Sequence, residues 1–219
     1  MKAVNLELLL PADIPPGEQI LWHGRPHWVS MARRAFRADY VAAYFVAMAL
    51  FNASLSAWTA GAADAGLSAL KTLAAGALAL GLLTLLAWLS SRTTLYVVTS
   101  RRVIMKIGIA LPIFLNLPFS SIAAASLRTF PDGTGEIPLG LSGDAHIAYL
   151  HLWPHARPFR IARPEPALRA IPNAAAVAET LSRALIAAAN RSSGAPALTV
   201  AEAQPKIAEG YESGAVAAA

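Results

Sequence analysis

Two long stretches without a charged side chain dominate the first half of the chain. One runs from Tyr40 to Ala63, 24 residues rich in Ala, Val, Leu, Phe and Met; the other runs from Thr72 to Ser91, 20 residues bounded by Lys71 and Arg92. A hydrocarbon core about 30 Å thick is crossed by roughly 20 helical residues, so both read as membrane-spanning helices. The link from Gly61 to Lys71 is short enough to make them an antiparallel hairpin.

Beyond the hairpin the pattern changes. Leu95–Thr99 and Val103–Ile107 are β-rich runs separated by Ser100-Arg101-Arg102. Ile107 to Leu127 is uncharged for 21 residues and competes as a third span. Pro112, Asn116 and Pro118 argue instead for strand, turn and strand, with Ile113–Leu117 as a strand whose prolines suit an edge. Asp132-Gly133-Thr134-Gly135 marks a turn before Ile137-Pro138-Leu139, and His146–Trp153 and Phe159-Arg160-Ile161 are further strand candidates. After Pro172, with Asn173 as cap, Ala174 to Ala189 forms a helix with Val177, Leu181 and Leu185 on one face, and Glu179 and Arg183 as an i,i+4 pair. From Arg191 the Ser, Gly, Ala and Pro content predicts a disordered tail.

These elements divide the chain into an N-terminal segment (1–38), a transmembrane hairpin (39–91), a mostly β domain (92–190) and the tail (191–219). Composition agrees: 56% of residues are apolar and 14% charged, against about 25% charged in soluble proteins. The net charge of +5 sits mainly beside the spans, in Arg25, Arg33, Arg34 and Arg37 before them and Arg92, Arg101, Arg102 and Lys106 after them. Neither cluster contains an acid, so the positive-inside rule predicts both termini in the cytoplasm, with the Asp64 loop outside. Charges placed to set topology argue against a nucleic-acid partner. The N-terminus, with Pro11, Pro15 and Pro16, offers no apolar core for a cleaved signal.

Chemistry is sparse. Without cysteine there is no thiolate nucleophile or Cys-ligated metal. His146, His151 and His155 form the one metal-type cluster, but Pro154 interrupts the helical spacing and no acid completes the set, so solvated or hydrogen-bonded histidines are expected and no cofactor. Gly133-Thr134-Gly135 lacks the Lys-Ser/Thr of a phosphate loop, and no Gly-x-Ser-x-Gly elbow or catalytic acid pair is present; the chain reads as no enzyme. Asn52, Ser54 and Ser56 are candidates for bonds between the helices, and Ala43, Ala47, Ala53 and Ala57 with Ala77 and Gly81 for close helix approach. The candidate interaction residues are Trp22, Arg25, Trp28, Arg101, Arg102, Trp153, His155 and Arg157, because exposed Trp and Arg most often dominate interfaces. For Trp22 and Trp28 the competing reading is an interfacial belt, and for Trp153 a core position.

Glu18-Gln19-Ile20-Leu21-Trp22-His23-Gly24-Arg25-Pro26, two spans, and Leu95–Ile104 together resemble membrane-anchored bacterial PH-like domain proteins. Met31–Arg37, Leu115–Phe119, Asp132–Gly135, Leu152–Pro158, Pro164-Glu165-Pro166 and Leu168-Arg169 are similar to the PuhB family of photosynthetic complex assembly proteins of purple bacteria. The resemblance implies a PH-like β-sandwich or barrel closed by a C-terminal helix. It also implies a role at the bacterial inner (intracytoplasmic) membrane in assembling the reaction centre and its light-harvesting 1 antenna. Reaction-centre or light-harvesting 1 subunits and membrane lipid are the expected partners, and a homodimer through the spans is a further option. The alternative from residue chemistry is a general lipid- or protein-binding module in envelope homeostasis, with Arg101, Arg102 and Lys106 against anionic headgroups.

Overall fold

Continuous apolar sequence folds here into two adjacent helices, α2 (Ala38–Thr59) and α3 (Ala62–Thr93), preceded by a short α1 (Trp28–Arg34). The computed structural model describes residues 15–109, 111–142, 149–157 and 164–193. At 1.5 Å per residue α2 is about 33 Å long and α3 about 48 Å, so both are long enough to cross a hydrocarbon core. Their side chains point outwards nearly all round: Trp58 is 91% exposed and Leu78 77%. Such an apolar surface far exceeds what a soluble protein presents to water, and lipid is the solvent that suits it.

The turn between the spans is shorter than expected. Only Ala60 and Gly61 are non-helical, and Ala62 to Lys71, read from sequence as a link, is the first part of α3. Asp64 lies in that first turn, where the helix dipole favours an acid. Most of the small residues singled out by spacing do not make the helix seam, since Ala43, Ala47, Ala57, Ala77 and Gly81 are exposed and Ala53 alone of the set is half-buried. Phe45 instead lies against Gly76, where a Cβ would collide with its ring, and Ala49 is buried. Asn52 Nδ2 donates to Thr72 Oγ1 at 3.1 Å between the helices, while Ser54 bonds within its own helix to the Phe51 carbonyl.

The β domain consists of two antiparallel sheets. In the first, β1 (Ile20–Gly24), β2 (Leu95–Thr99), β3 (Arg102–Ile107) and β4 (Ile113–Pro118) lie in sequence order. β1 comes from the segment before the spans, so the hairpin is an insertion between neighbouring strands of one sheet. In the second, β7 (Thr134–Leu141) pairs with β5 (Ile122–Ala125), β6 (Arg128–Thr129) and β8 (Ala167–Pro172). The run from Ile107 to Leu127 is thus strand, turn and strand, with a 3-10 turn at Phe119–Ser121.

Tyr96, Val98, Val103, Met105 and Leu117 from one sheet meet Ile137, Leu139, Leu168 and Ile171 from the other in a single core. α5 (Ala174–Ser193) closes it with Ala174, Val177, Leu181 and Ala184, one helical face at the i, i+3, i+4 period. Leu185 is partly buried against the same core. The helix extends through Ser193, past Arg191 where a tail was expected to begin; residues 194–219 lie outside the described residues.

One expected strand is absent. Tyr149–Leu152 forms a single helical turn, α4, within the stretch 146–153 that reads as β-rich; Pro154, two residues beyond its end, prevents continuation. His146 and Phe159-Arg160-Ile161 lie outside the described residues.

Candidate functional site

The hairpin and the β domain are joined by buried polar chemistry. α3 passes into β2 with only Thr94 between them, so the spans and the first sheet share one continuous backbone. α1 is wedged against this junction: Met31, Ala32 and Phe36 pack on Ala87 of α3 and Ala170 of β8. Ser30 Oγ donates to Asp132 Oδ2 at 3.0 Å and lies 2.6 Å from Thr134 Oγ1, tying α1 to the turn before β7. Hydrogen bonds from Thr134 and Ser30, with Arg34 nearby, outweigh desolvation and hold the Asp132 carboxyl below its usual range.

At the centre of the junction is Arg169. Its Nε and Nη2 donate to Glu136 Oε1 at 2.9 and 2.7 Å, Nη1 to the Pro154 carbonyl at 3.1 Å, and Nη2 also to the Arg34 carbonyl at 3.1 Å. One side chain therefore bonds β7, the segment after α4, and the end of α1. The Arg169 amide donates to the Tyr96 hydroxyl at 3.3 Å, and that hydroxyl lies 2.6 Å from His155 Nδ1. Nε2 of the same imidazole contacts Thr94 Oγ1 at 3.1 Å and Ser90 Oγ at 3.3 Å, at the very end of α3.

His155 is fully buried, and desolvation, reinforced by the Arg169 charge, lowers its pKa to about 3. It is a neutral imidazole tying the last helical turn to the sandwich. Burial likewise raises the Tyr96 phenol. The arrangement can hold two bodies in one geometry; among the described residues no three His, Cys, Asp or Glu side chains gather as a metal site would require.

A surface suited to binding lies on the other side. An open groove of about 740 Å³ runs between β5 and the second half of α5, floored by Ile122, Ala124, Leu185 and Ile186, with Arg101 and Arg191 among its lining. β5 pairs with β7 on one edge and is an edge strand of its sheet. Exposed strand edges accept an added strand, and small apolar residues let its backbone approach. Arg191 Nη2 donates to the Ser100 carbonyl at 2.7 Å, fixing the end of α5 over the β2–β3 turn.

The candidate interaction residues divide. Arg101 is exposed at the groove. Arg25 is exposed, Trp28 is 41% exposed, and Trp153 is 48% exposed with its ring edge-on to Phe36 at 5.2 Å, not in the core. Trp22 is half-buried against the sandwich core. Arg157 is paired with Glu165 at 2.8 Å and partly exposed. Two proposed contacts are withdrawn by their surroundings. His155 is sealed in the junction, and Arg102 is held by both oxygens of Glu18, each at 2.8 Å, so neither is free to meet a partner.

Sequence reasoning missed Glu136 and Arg169. The available signal was a lone charge inside each of two apolar, β-rich runs, Gly135-Glu136-Ile137 and Leu168-Arg169-Ala170-Ile171. A buried charge is tolerated only when paired, so two such strands imply each other.

This architecture, an apolar helix pair fused to a β-sandwich closed by a C-terminal helix, is that of a membrane-anchored PH-like module. The family model described as "Bacterial PH domain" matches residues 39–185, so the chain belongs to the bacterial PH domain family. A relative from Rhodobacter capsulatus, described as an uncharacterized 23.7 kDa protein in the puhA 5' region, is 38% identical over 184 residues, covering 83% of this chain and 86% of the relative. It agrees with the resemblance to the PuhB family. A solved structure of a DUF1696 family protein with a pleckstrin-homology domain, from Shewanella loihica PV-4, is 15% identical and covers 41% of this chain and 68% of its own, with a TM-score of 0.29.

Proposed function

We propose that this protein is a non-enzymatic assembly factor for the photosynthetic reaction centre and light-harvesting 1 complex, held in the inner (intracytoplasmic) membrane with both termini in the cytoplasm. The observation that carries this reading is the 38% identity, over most of both chains, to a Rhodobacter capsulatus protein described by its position beside puhA. The geometry supports it in two ways. The junction around Arg169 fixes the β domain relative to the spans, which keeps a docking surface at a set height above the bilayer. Confinement to the membrane raises its effective concentration near membrane partners without a tight contact.

The groove beside β5 supplies the surface for such a contact. An extended segment of a reaction-centre or antenna subunit would add a strand to β5, with an acidic group meeting Arg101 and Arg191. Among the described residues no acid lines the groove.

The test is deletion of the gene in a photosynthetic host grown by respiration at low oxygen, followed by absorption spectroscopy of isolated membranes. Depleted reaction centre and light-harvesting 1, restored by the wild-type gene, is the expected result; full levels of both in the deletion strain would refute the reading.

A further inference from the structure

Contacts between the two spans fix which residues lie at the same depth. Phe45 lies against Gly76, Asn52 bonds to Thr72, and Ala38 packs with Leu83 and Leu86 on one cluster. Aromatic residues suited to membrane interfaces stand near both ends of α2. Tyr40, with the Arg37 guanidinium over its ring at 5.2 Å, is at the end next to the β domain, and exposed Trp58 is at the turn. The helix between them is about 27 Å long, close to the thickness of a hydrocarbon core.

One charge lies between these two levels. In α2 the stretch from Tyr40 to Thr59 is uncharged, and in α3 the stretch from Ala65 to Ser91 is uncharged except for Lys71. Lys71 precedes Thr72, the partner of Asn52, so it is level with Asn52 and Ala53, about 8 Å inward of Trp58. Asp64 is about 10 Å nearer the turn along α3. By sequence Lys71 borders the second span. The short turn instead starts α3 at Ala62, level with the end of α2, and carries Lys71 inside the apolar belt.

Lys71 is exposed, on a helical face that it shares with the exposed Leu67, Leu78 and Leu82. Among the described residues no ion pair includes it. The polar groups at its own depth are already engaged, since Asn52 donates to Thr72 Oγ1 and Thr72 donates to the Ser68 carbonyl. The lysine stem leans towards the turn, because helical Cβ atoms tilt to the N-terminus, but four methylenes are shorter than the distance to the interface. An ammonium on a lipid-facing leucine stripe is costly and marks a place where a partner neutralises it.

Charge selects that partner. A carboxylate is also costly in lipid, and the two charges relieve each other when paired. A second copy of this chain in the same orientation would set Lys71 against Lys71, so this face fits a helix of different sequence. We propose that Lys71 is an intramembrane docking point for another protein's transmembrane helix, one that bears an aspartate or glutamate about 10 Å inside the end level with Trp58. This contact is separate from the β5 groove and does not depend on the assembly reading.

Two measurements on the full chain in phosphatidylcholine vesicles test it. The chain has no cysteine, so Lys71→Cys gives a unique site for a nitroxide label. Its relaxation should respond to oxygen rather than to a water-soluble nickel chelate, as at Leu78→Cys and unlike Ala63→Cys. The second measurement is energy transfer from the labelled chain to a synthetic Leu/Ala transmembrane helix carrying one Glu at the matching depth. The wild type should bind this helix about tenfold tighter than an all-Leu/Ala control. Lys71→Leu should abolish the difference, Lys71→Arg should keep it, and Lys71→Glu should transfer the preference to a helix carrying Lys.

A nickel-accessible label at position 71 would overturn the depth on which the site rests. Equal binding of the Glu and control helices by the wild type would overturn the docking point and assign the ammonium to lipid phosphate. A preference that survives Lys71→Leu would place the contact elsewhere on the hairpin and overturn it as well. Position 71 is exposed, so these variants should keep the wild-type unfolding midpoint, and Lys71→Arg separates loss of charge from loss of fold.

Discussion

Tyr96 and His155, 59 positions apart, lie 2.6 Å from each other between the phenolic oxygen and imidazole Nδ1. The same oxygen accepts from the Arg169 amide, and the other imidazole nitrogen, Nε2, faces Thr94 and Ser90. This one contact relays position from the end of a spanning helix, through a strand, to the segment that carries Pro154. A merely tethered domain needs nothing of this kind; a domain whose docking surface must face a membrane partner at a set angle does.

Acid should loosen the junction in a defined window. The pKa of His155 is about 3 in the folded protein and 6.5 as a free side chain, so between those values the unfolded chain binds the extra proton. Stability therefore rises with pH across this window and is lost progressively as pH falls through it. The carboxyls of Glu18 and Asp132 are also held low: burial raises Glu18, but its bonds to Arg102 and Thr99 outweigh that. Their contribution begins only below their ordinary values of 4.5 and 3.8. Chemical denaturation at a series of pH values should show a slope above about pH 5 in the wild type. His155→Gln should flatten that slope.

The Arg169–Glu136 pair predicts an asymmetric response to substitution. Arg169→Ala leaves a buried carboxylate without its partner and should cost about 3–5 kcal/mol in thermal or denaturant unfolding of the β domain. Glu136→Gln with Arg169→Met removes both charges and should recover much of that loss. Equal damage from the single and double changes would mean that packing, not charge pairing, dominates at this site.

Much of the fold was legible because its signals are local. Uncharged runs of adequate length marked the spans, β-branched runs marked β2 and β3, and the 3.6 period of Val177, Leu181 and Leu185 marked α5. What sequence did not reveal is long-range. The pairing of β1 with β2 joins residues about 75 positions apart across the hairpin, and nothing near Trp22 records its partner Val98. Arg102 looked like a free surface cation because Glu18, 84 positions away, is invisible to a local pattern. His155 looked like a surface group for the same reason, since its burial comes from Tyr96, Thr94 and Ser90. The small-residue spacing failed differently: alanine recurs on every face of both helices, so periodicity alone could not choose Gly76 over Gly81.

That choice is testable. Gly76 abuts Phe45, whereas nothing lies within 4 Å of a Cβ at Gly81. Gly76→Leu should part the helices and lower the thermal stability of the detergent-solubilised protein, while Gly81→Leu should leave it nearly unchanged. Thr72→Val, which removes the acceptor for Asn52, should have a smaller effect, about 0.6 kcal/mol for an average interhelical hydrogen bond in a membrane.

The groove makes the sharpest demand on the proposed function, because it separates a binding role from a purely structural one. Ile186 is half-buried on its floor and belongs to the helix face beside, not within, the core formed by Val177, Leu181 and Ala184. Ile186→Glu should therefore leave the unfolding midpoint almost unchanged while placing a buried acid beneath any added strand. Introduced into the deletion strain, it should accumulate to wild-type levels yet fail to restore the reaction-centre and antenna absorption bands. Arg101→Glu at the groove's cationic lining should impair restoration as well, by repelling the acidic end of the incoming segment. Full rescue by both variants would exclude the groove as the docking surface while leaving the assembly role itself intact, since that role is judged by the deletion phenotype alone.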